Sequence, residues 1–337
     1  MNFNKIKFSI NTARRNVESA IKNVIDKYTL IQESGNIENF SNKETVEQFG
    51  EYIKNNTSDG NEKRIIDDGT IKQVINHIIE KYTVPSIKLT PVGFGVADPL
   101  STFFYGYPRY IDGDIPTDSS GKQLRFMAQV NCKDLDGLPD FPTKGLLQFW
   151  VQGDEYRMFM DIKDPKAYQV VYIENTDNNN IDNVELDESL YTTDSADFPY
   201  IWKNDKTPDM NYMMTSSKEL IRPNTSDIEV LLNLFINEYN RISGISIDNK
   251  SIPKSVINTL KDDDRLKPSW GNRIGGYPSF TQNPPSGRTD SWETLLLQLD
   301  SDKTVNWGDS GIAGFYISHK DLINRDFRNI NFYWDCY

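Results

Sequence analysis

The sequence predicts an α+β protein, with a helical N-terminal segment followed by a β-rich domain built from two copies of one unit. Two observations predict it. Apolar residues recur at helical spacing up to residue 82, and from Ile87 onward short aromatic and β-branched runs alternate with Gly, Pro and Asp clusters. The second is a repeat. One passage runs Gly106-Tyr107-Pro108, Leu124 to Gln129, then Gly145 to Phe149, and a later one runs Gly276-Tyr277-Pro278, Leu295 to Gln298, then Gly311 to Ile317. From the proline to the glutamine is 21 positions in the first (129 minus 108) and 20 in the second (298 minus 278). From glutamine to glycine is 16 and 13 (145 minus 129, 311 minus 298). A repeat decides an architecture before any single element does.

In chain order, residues 11–32 read as an amphipathic helix with Ala13, Val17, Ala20, Ile21, Val24 and Tyr28 on one face. A short helix over 43–54 and a third over 69–82 follow, the last ended by Pro85, whose predecessor avoids the helical region. Residues 1–84 therefore form a helical extension, and residues 85–337 form the duplicated domain, with copies at about 100–173 and 270–327. Within it Phe126 to Val130, Leu146 to Val151, Tyr156 to Ile162 and Gln169 to Ile173 read as strands. Residues 226–242 carry a buried stripe of Ile228, Leu231, Leu232, Phe235, Ile236 and Tyr239, with Ser226 or Asp227 as cap and Gly244 as stop. A short helix at 254–261 leads into the second copy, and Lys320 to Phe327 reads as a helical turn. Around Trp307-Gly308-Asp309-Ser310-Gly311 the chain makes a sharp turn between two strands.

These passages resemble the YwqG-like family, a bacterial domain of unknown function. The family pattern is a Gly-Gly-x-Pro turn, a Leu-x-Phe-x-x-Gln strand, a Gly-x-Leu-x-Phe strand and a late Trp-Gly-Asp-x-Gly turn. Here these stand as Gly275 to Pro278, Leu124 to Gln129, Gly145 to Phe149 and Trp307 to Gly311. The resemblance spans about residue 85 to the C-terminus and departs at the first turn, where Tyr105-Gly106 replaces Gly-Gly. It implies an immunity protein of a bacterial toxin system, which inhibits a partner and catalyses nothing.

Composition narrows the function classes. The net charge is −12 over 337 residues, and all of it lies after residue 84: residues 1–84 carry 12 basic and 12 acidic side chains, residues 85–337 carry 25 and 37. An acidic surface repels a nucleic-acid backbone and favours a basic protein partner. No apolar run reaches the ~18 residues of a membrane span. The basic N-terminus has no apolar stretch behind it, so a cytoplasmic protein is expected, with Cys132 and Cys336 as free thiols.

No catalytic set stands out. His77 and His319 are isolated, and Cys132 has no CxxC partner or basic activator. Gly93-Phe94-Gly95 lacks the remainder of a phosphate-binding loop. Asp300, Asp302 and Asp309 gather oxygen ligands near one loop without calcium-loop spacing. No catalytic residue, metal or cofactor is therefore assigned. In the Trp307 turn, Asp309 is expected to accept backbone N–H bonds while Trp307 covers the core end, with Gln129 and Gln298 bonding buried backbone. The functional counterpart makes Trp307, Asp309, Gln129 and Gln298 a ligand pocket between the copies. Residues 174–209 hold ten acids and two lysines, a net −8, with aromatics among them. Asp187, Glu188, Asp194, Asp197 and Trp202 are the expected contacts for a basic partner. Three readings follow: a non-enzymatic protein-binding inhibitor, a small-molecule or glycan-binding module, and a hydrolase using carboxylates at the Trp307 turn. The first accounts best for the charge.

Overall fold

The computed structural model describes residues 66–152, 164–191 and 209–337. The helices expected over 11–32 and 43–54, and the strand Tyr156 to Ile162, lie outside these residues. Ten strands are described: β1 (Val84–Gly95), β2 (Phe103–Phe104), β3 (Arg125–Asn131), β4 (Leu146–Val151), β5 (Tyr168–Ile173), β6 (Asn211–Ile221), β7 (Asn272–Gly275), β8 (Thr294–Asp300), β9 (Ile312–Ile317) and β10 (Ile330–Asp335). Four α-helices accompany them: α1 (Asp68–Tyr82), α2 (Ile228–Ser243), α3 (Lys254–Asp262) and α4 (His319–Ile323).

All ten strands join one sheet in the order β10-β9-β8-β7-β1-β6-β2-β3-β4-β5, and each pairing is antiparallel. The centre is the long β1–β6 ladder, from Val84 opposite Ile221 to Gly95 opposite Asn211. Pro91 has no N–H to give a ladder, and it sits where the register slips between Pro91 and Gly93. β1 then pairs with β7, and β6 with β2.

The sheet curls into a near-barrel. β5 and β10, its two outermost described strands, face each other through Tyr168 and Phe332 (ring centres 6.0 Å apart), and Tyr172 of β5 meets Phe327 (5.6 Å). The inward face holds the main core, with Phe149 of β4 against Phe315 of β9 at 5.0 Å and Phe315 against Phe332 at 4.8 Å. Both β3–β4 and β8–β9 carry a register slip, between Phe126 and Ala128 in one and between Leu295 and Leu297 in the other.

Because neighbouring strands alternate in direction, the start of β3, the start of β6 and the end of β8 lie at one end of the sheet. The start of β1 and the end of β6 lie at the other, and there the helices attach. Asp67 caps α1 through Thr70 N (2.9 Å), Asp227 caps α2 through Val230 N, and Gly244 closes α2 at φ 68°. Ile71, Val74, Ile75 and Ile78 of α1 are fully buried against Leu231 and Phe235 of α2 and Val256 and Leu260 of α3. α1 precedes the boundary placed after residue 84, yet its core is shared with the helix that connects the two halves of the sheet.

One buried carboxylate locks this cluster. Glu238 of α2 is 1 % exposed and accepts from Lys81 Nζ (2.6 Å), Tyr82 OH (2.7 Å) and Arg241 Nε (2.7 Å), with His77 Nε2 at 3.1 Å. Burial alone would raise its pKa, but the hydrogen bonds from Lys81, Tyr82 and Arg241 outweigh it and bring it to about 2. A depressed carboxylate contributes stability that is present above its unfolded value near 4.5 and is lost as pH falls towards 2. Glu238→Gln is expected to lower stability at pH 7 by about 2–3 kcal/mol. In urea melts, the gap from the parent should close as pH drops below about 4.5; a gap that is the same at pH 3 and pH 7 would contradict this account.

Candidate functional site

Two clefts open at the end of the sheet opposite the helices. The first, of about 530 Å³, is lined by Trp270, Asp300, Ser301, Asp302, Lys303, Asn306, Ser310 and Tyr337. The second, of about 510 Å³, is lined by Gln123, Glu185, Leu186, Asp187, Glu188 and Ser189.

The first cleft grows out of the turn after β8. Asp302 is the residue that organises it. Its Oδ1 accepts Thr304 N (2.6 Å) and Val305 N (2.9 Å), and its Oδ2 accepts the Tyr212 hydroxyl from β6 (2.8 Å). Burial pushes the Tyr212 hydroxyl up to about 12, so it stays a donor at neutral pH. Ser301 Oγ accepts Trp307 N (2.8 Å) and donates to Gly311 O (2.6 Å). Trp307 is wholly buried and covers the end of the core, as the sequence led us to expect. Asp309 is exposed, and the turn donors expected to reach it go to Asp302 and Ser301 instead. The physical reason is reach: Asp302 stands at the first corner with two N–H groups following it, whereas Asp309 sits at the outer corner beside the left-handed Gly308 and Ser310.

Gln129 and Gln298 are both buried, and neither reaches a cleft. Gln129 Nε2 donates to Pro99 O and Ser101 O, and its Oε1 accepts Gln148 Nε2. Gln298 Nε2 donates to Gly271 O (2.8 Å), and its Oε1 accepts Ser279 N (2.9 Å). Each satisfies backbone within its own half of the sheet.

The second cleft contains the sequence-predicted Asp187 and Glu188, while Asp194, Asp197 and Trp202 lie outside the described residues. Gln123 binds this loop twice, Nε2 to Glu185 O (2.9 Å) and Oε1 from Asp187 N (2.9 Å). Asp187 in turn accepts Ser189 N and Oγ. Below, Leu190 and Tyr191 are buried, and the Tyr191 ring meets Tyr107 at 4.9 Å and the Arg125 guanidinium at 5.8 Å. Asp182, Glu185 and Glu188 are left facing solvent.

A family model described as a domain of unknown function, DUF1963, matches residues 102–336. The chain belongs to the DUF1963 family. No curated protein matches it. The DUF1963 region starts at β2, so β1, which completes the centre of the sheet, precedes it. Among the described residues of this DUF1963 chain, no three His, Cys, Asp or Glu side chains gather closely enough to hold a metal ion. No described helix is long and apolar enough to cross a membrane. Cys132 is buried and its thiol is pushed up to about 12 by that burial, which leaves too little thiolate for a nucleophile. Tyr105 takes φ 57° ahead of Gly106 at 69°, as Gly275 and Gly276 do at 69° and 73°. The Tyr-for-Gly departure thus keeps the turn at the cost of a left-handed tyrosine.

The two aspartates of the Trp307 turn should separate on mutation. Asp302→Ala removes the acceptor of three donors and is expected to cost about 1–3 kcal/mol. Asp309→Ala should stay within about 0.5 kcal/mol, as exposed substitutions do. Thermal melts of both variants check this, and equal losses would return Asp309 to the structural role first expected of it.

Proposed function

We propose that this DUF1963 protein is a non-enzymatic binding protein whose acidic end docks a basic protein, in the manner of an immunity protein that inhibits a toxin. The observation that carries the reading is the anchoring of the acidic loop. Residues 174–191 contain six carboxylates and no lysine or arginine. Gln123 and the buried Leu190 and Tyr191 hold the last part of that stretch in place. A fixed array of like charges keeps its repulsion in the free protein and releases it when a cationic surface arrives, so complementarity acts on association rate. The YwqG-like resemblance agrees in kind, and a cytoplasmic partner suits two unbridged thiols.

The same reading includes a duplicated origin. The strand order reads alike from both edges, with the first strand of each half, β1 or β6, paired to the second strand of the other. Gln129 lies opposite Phe103 and binds Ser101 O; Gln298 lies opposite Arg273 and binds Gly271 O, two residues before the partner in each case. The register slips fall at the same place, around the residue two before each glutamine. Superposing β3–β4 on β8–β9 tests the idea: Gln129 must land on Gln298 and Phe149 on Phe315, and a one-residue offset would defeat it.

The binding reading is tested with the partner recovered by affinity capture of the full chain. Asp182→Asn, Glu185→Gln and Glu188→Gln together should slow association about tenfold or more with an unchanged melting temperature. Raising salt from about 0.05 to 0.5 M, which shortens the screening length roughly threefold, should do the same to the parent. Association that ignores both changes would place the interface elsewhere.

A further inference from the structure

The first cleft is built from groups the acidic-loop reading does not use. One wall is the Ser269-Trp270-Gly271 backbone. It is held by Arg273, a fully buried guanidinium that donates to Ser269 O and to Trp270 O (2.9 Å) while paired with Glu219 at 3.2 Å. Gly271 is fixed from both sides, its N–H on Asp300 Oδ2 and its carbonyl on Gln298 Nε2. The facing wall is the Asp302 turn, tied down by three donors. Tyr337 closes the rim, its N–H on Asp309 O (3.2 Å). Two large aromatic side chains line this fixed space while well exposed, Trp270 at 44 % and Tyr337 at 69 %. Two carboxylates stand beside them against a single lysine, Lys303.

We propose that this cleft binds a guanidinium group, with Asp300 as its charge partner and Trp270 as its stacking face. Three alternatives fit the lining less well. An anion would meet two carboxylates and one cation. A neutral sugar would gain hydrogen bonds but nothing from the excess charge. An alkylammonium is compact and strongly hydrated, and an open cleft strips little of that water. A guanidinium is flat and weakly hydrated, stacks on indole and meets a carboxylate with two parallel N–H groups. Burial raises the Asp300 pKa in spite of the Gly271 and Ser301 N–H groups and the nearby Arg273, so a bound cation relieves a cost the free protein carries. The volume, about 530 Å³, is within the range of small-ligand sites but larger than a guanidinium alone, leaving room for the chain that carries it.

This assignment stands whether or not the acidic loop docks a protein, and it is tested on the full chain with defined probes. Amide shifts of Gly271, Thr304 and Tyr337 should move saturably with n-butylguanidinium, about fivefold or more tighter than with n-butylammonium, and not with glucose. Asp300→Asn keeps an acceptor for Gly271 N–H, and Trp270→Ala removes a half-exposed ring. Each should weaken guanidinium binding about tenfold, the value of one good charged or stacked contact. Lys303→Glu, at an exposed position, should tighten it and so supports the site even where another variant loses stability. An acetyl-Gly-Arg-Gly-amide peptide that binds more tightly than n-butylguanidinium identifies a protein side chain as the source; equal affinity identifies a free cation. Glucose or butylammonium binding as well as butylguanidinium, no saturation with any probe, or affinity unchanged in Asp300→Asn, Trp270→Ala and Lys303→Glu would overturn the proposal.

Discussion

The architecture depends on the antiparallel ladder between β1 and β6. A strand cannot leave its N–H and C=O groups unpaired inside a fold, so each strand needs two neighbours or a solvent edge. β1 and β6 each find one neighbour in the other and the second in the opposite half, β7 or β2. Without the β1–β6 ladder the two five-stranded groups would be separate small sheets with two extra edges. With it the sheet is continuous, long enough to curl, and its inner face closes over one core in which Phe149 and Phe315 meet. The family match begins after β1, but the central ladder cannot form without β1.

Alternating strand direction then separates the molecule into two ends with different chemistry. At one end α1, α2 and α3 supply a second apolar core, and the charge there is neutralised internally by Lys81 and Arg241 around Glu238. At the other end the carboxylates have fewer internal partners. Asp302 spends its charge on turn donors and Asp187 on Ser189, whereas Asp182, Glu185 and Glu188 face water. Charge is thus handled differently by position: Glu238 is paired inside the helical end, whereas Asp182, Glu185 and Glu188 face solvent.

Much of this was legible in the sequence. Helices α1 and α2 announced themselves by spacing, α1 with Pro85 as stop and α2 with its caps, and their boundaries fall within two residues of the expected ones. β3, β4 and β9 were visible as apolar runs because both of their faces are buried. β6 escaped, since only its first residues and its last are buried and the polar middle, Thr215 to Lys218, shows no alternation. β10 follows the helical turn closely, and its Asn, Tyr and Trp positions are half-exposed. The sequence alone does not separate Asp302 from Asp309; the corner geometry does, through Thr304 N and Val305 N, and Tyr212, 90 residues away, adds a third donor to Asp302 where β6 begins.

The first cleft illustrates why sites are harder to read than folds. Trp270, Asp300 and Tyr337 come from three separate stretches, and no spacing rule links them. The buried Arg273 sets one of the cleft's walls. A guanidinium taken out of water costs several kcal/mol unless its donors are satisfied, and Arg273 meets that demand with Glu219 and two carbonyls of the Ser269–Trp270 backbone. The bonds that satisfy Arg273 also fix the wall on which Trp270 stands. A hydrophobic residue at position 273 could fill the same core volume, but it would leave Ser269 O and Trp270 O without these donors and Glu219 without its cation. The bonds that satisfy the buried Arg273 therefore also hold the Trp270 backbone at the rim, from which its half-exposed indole lines the cleft.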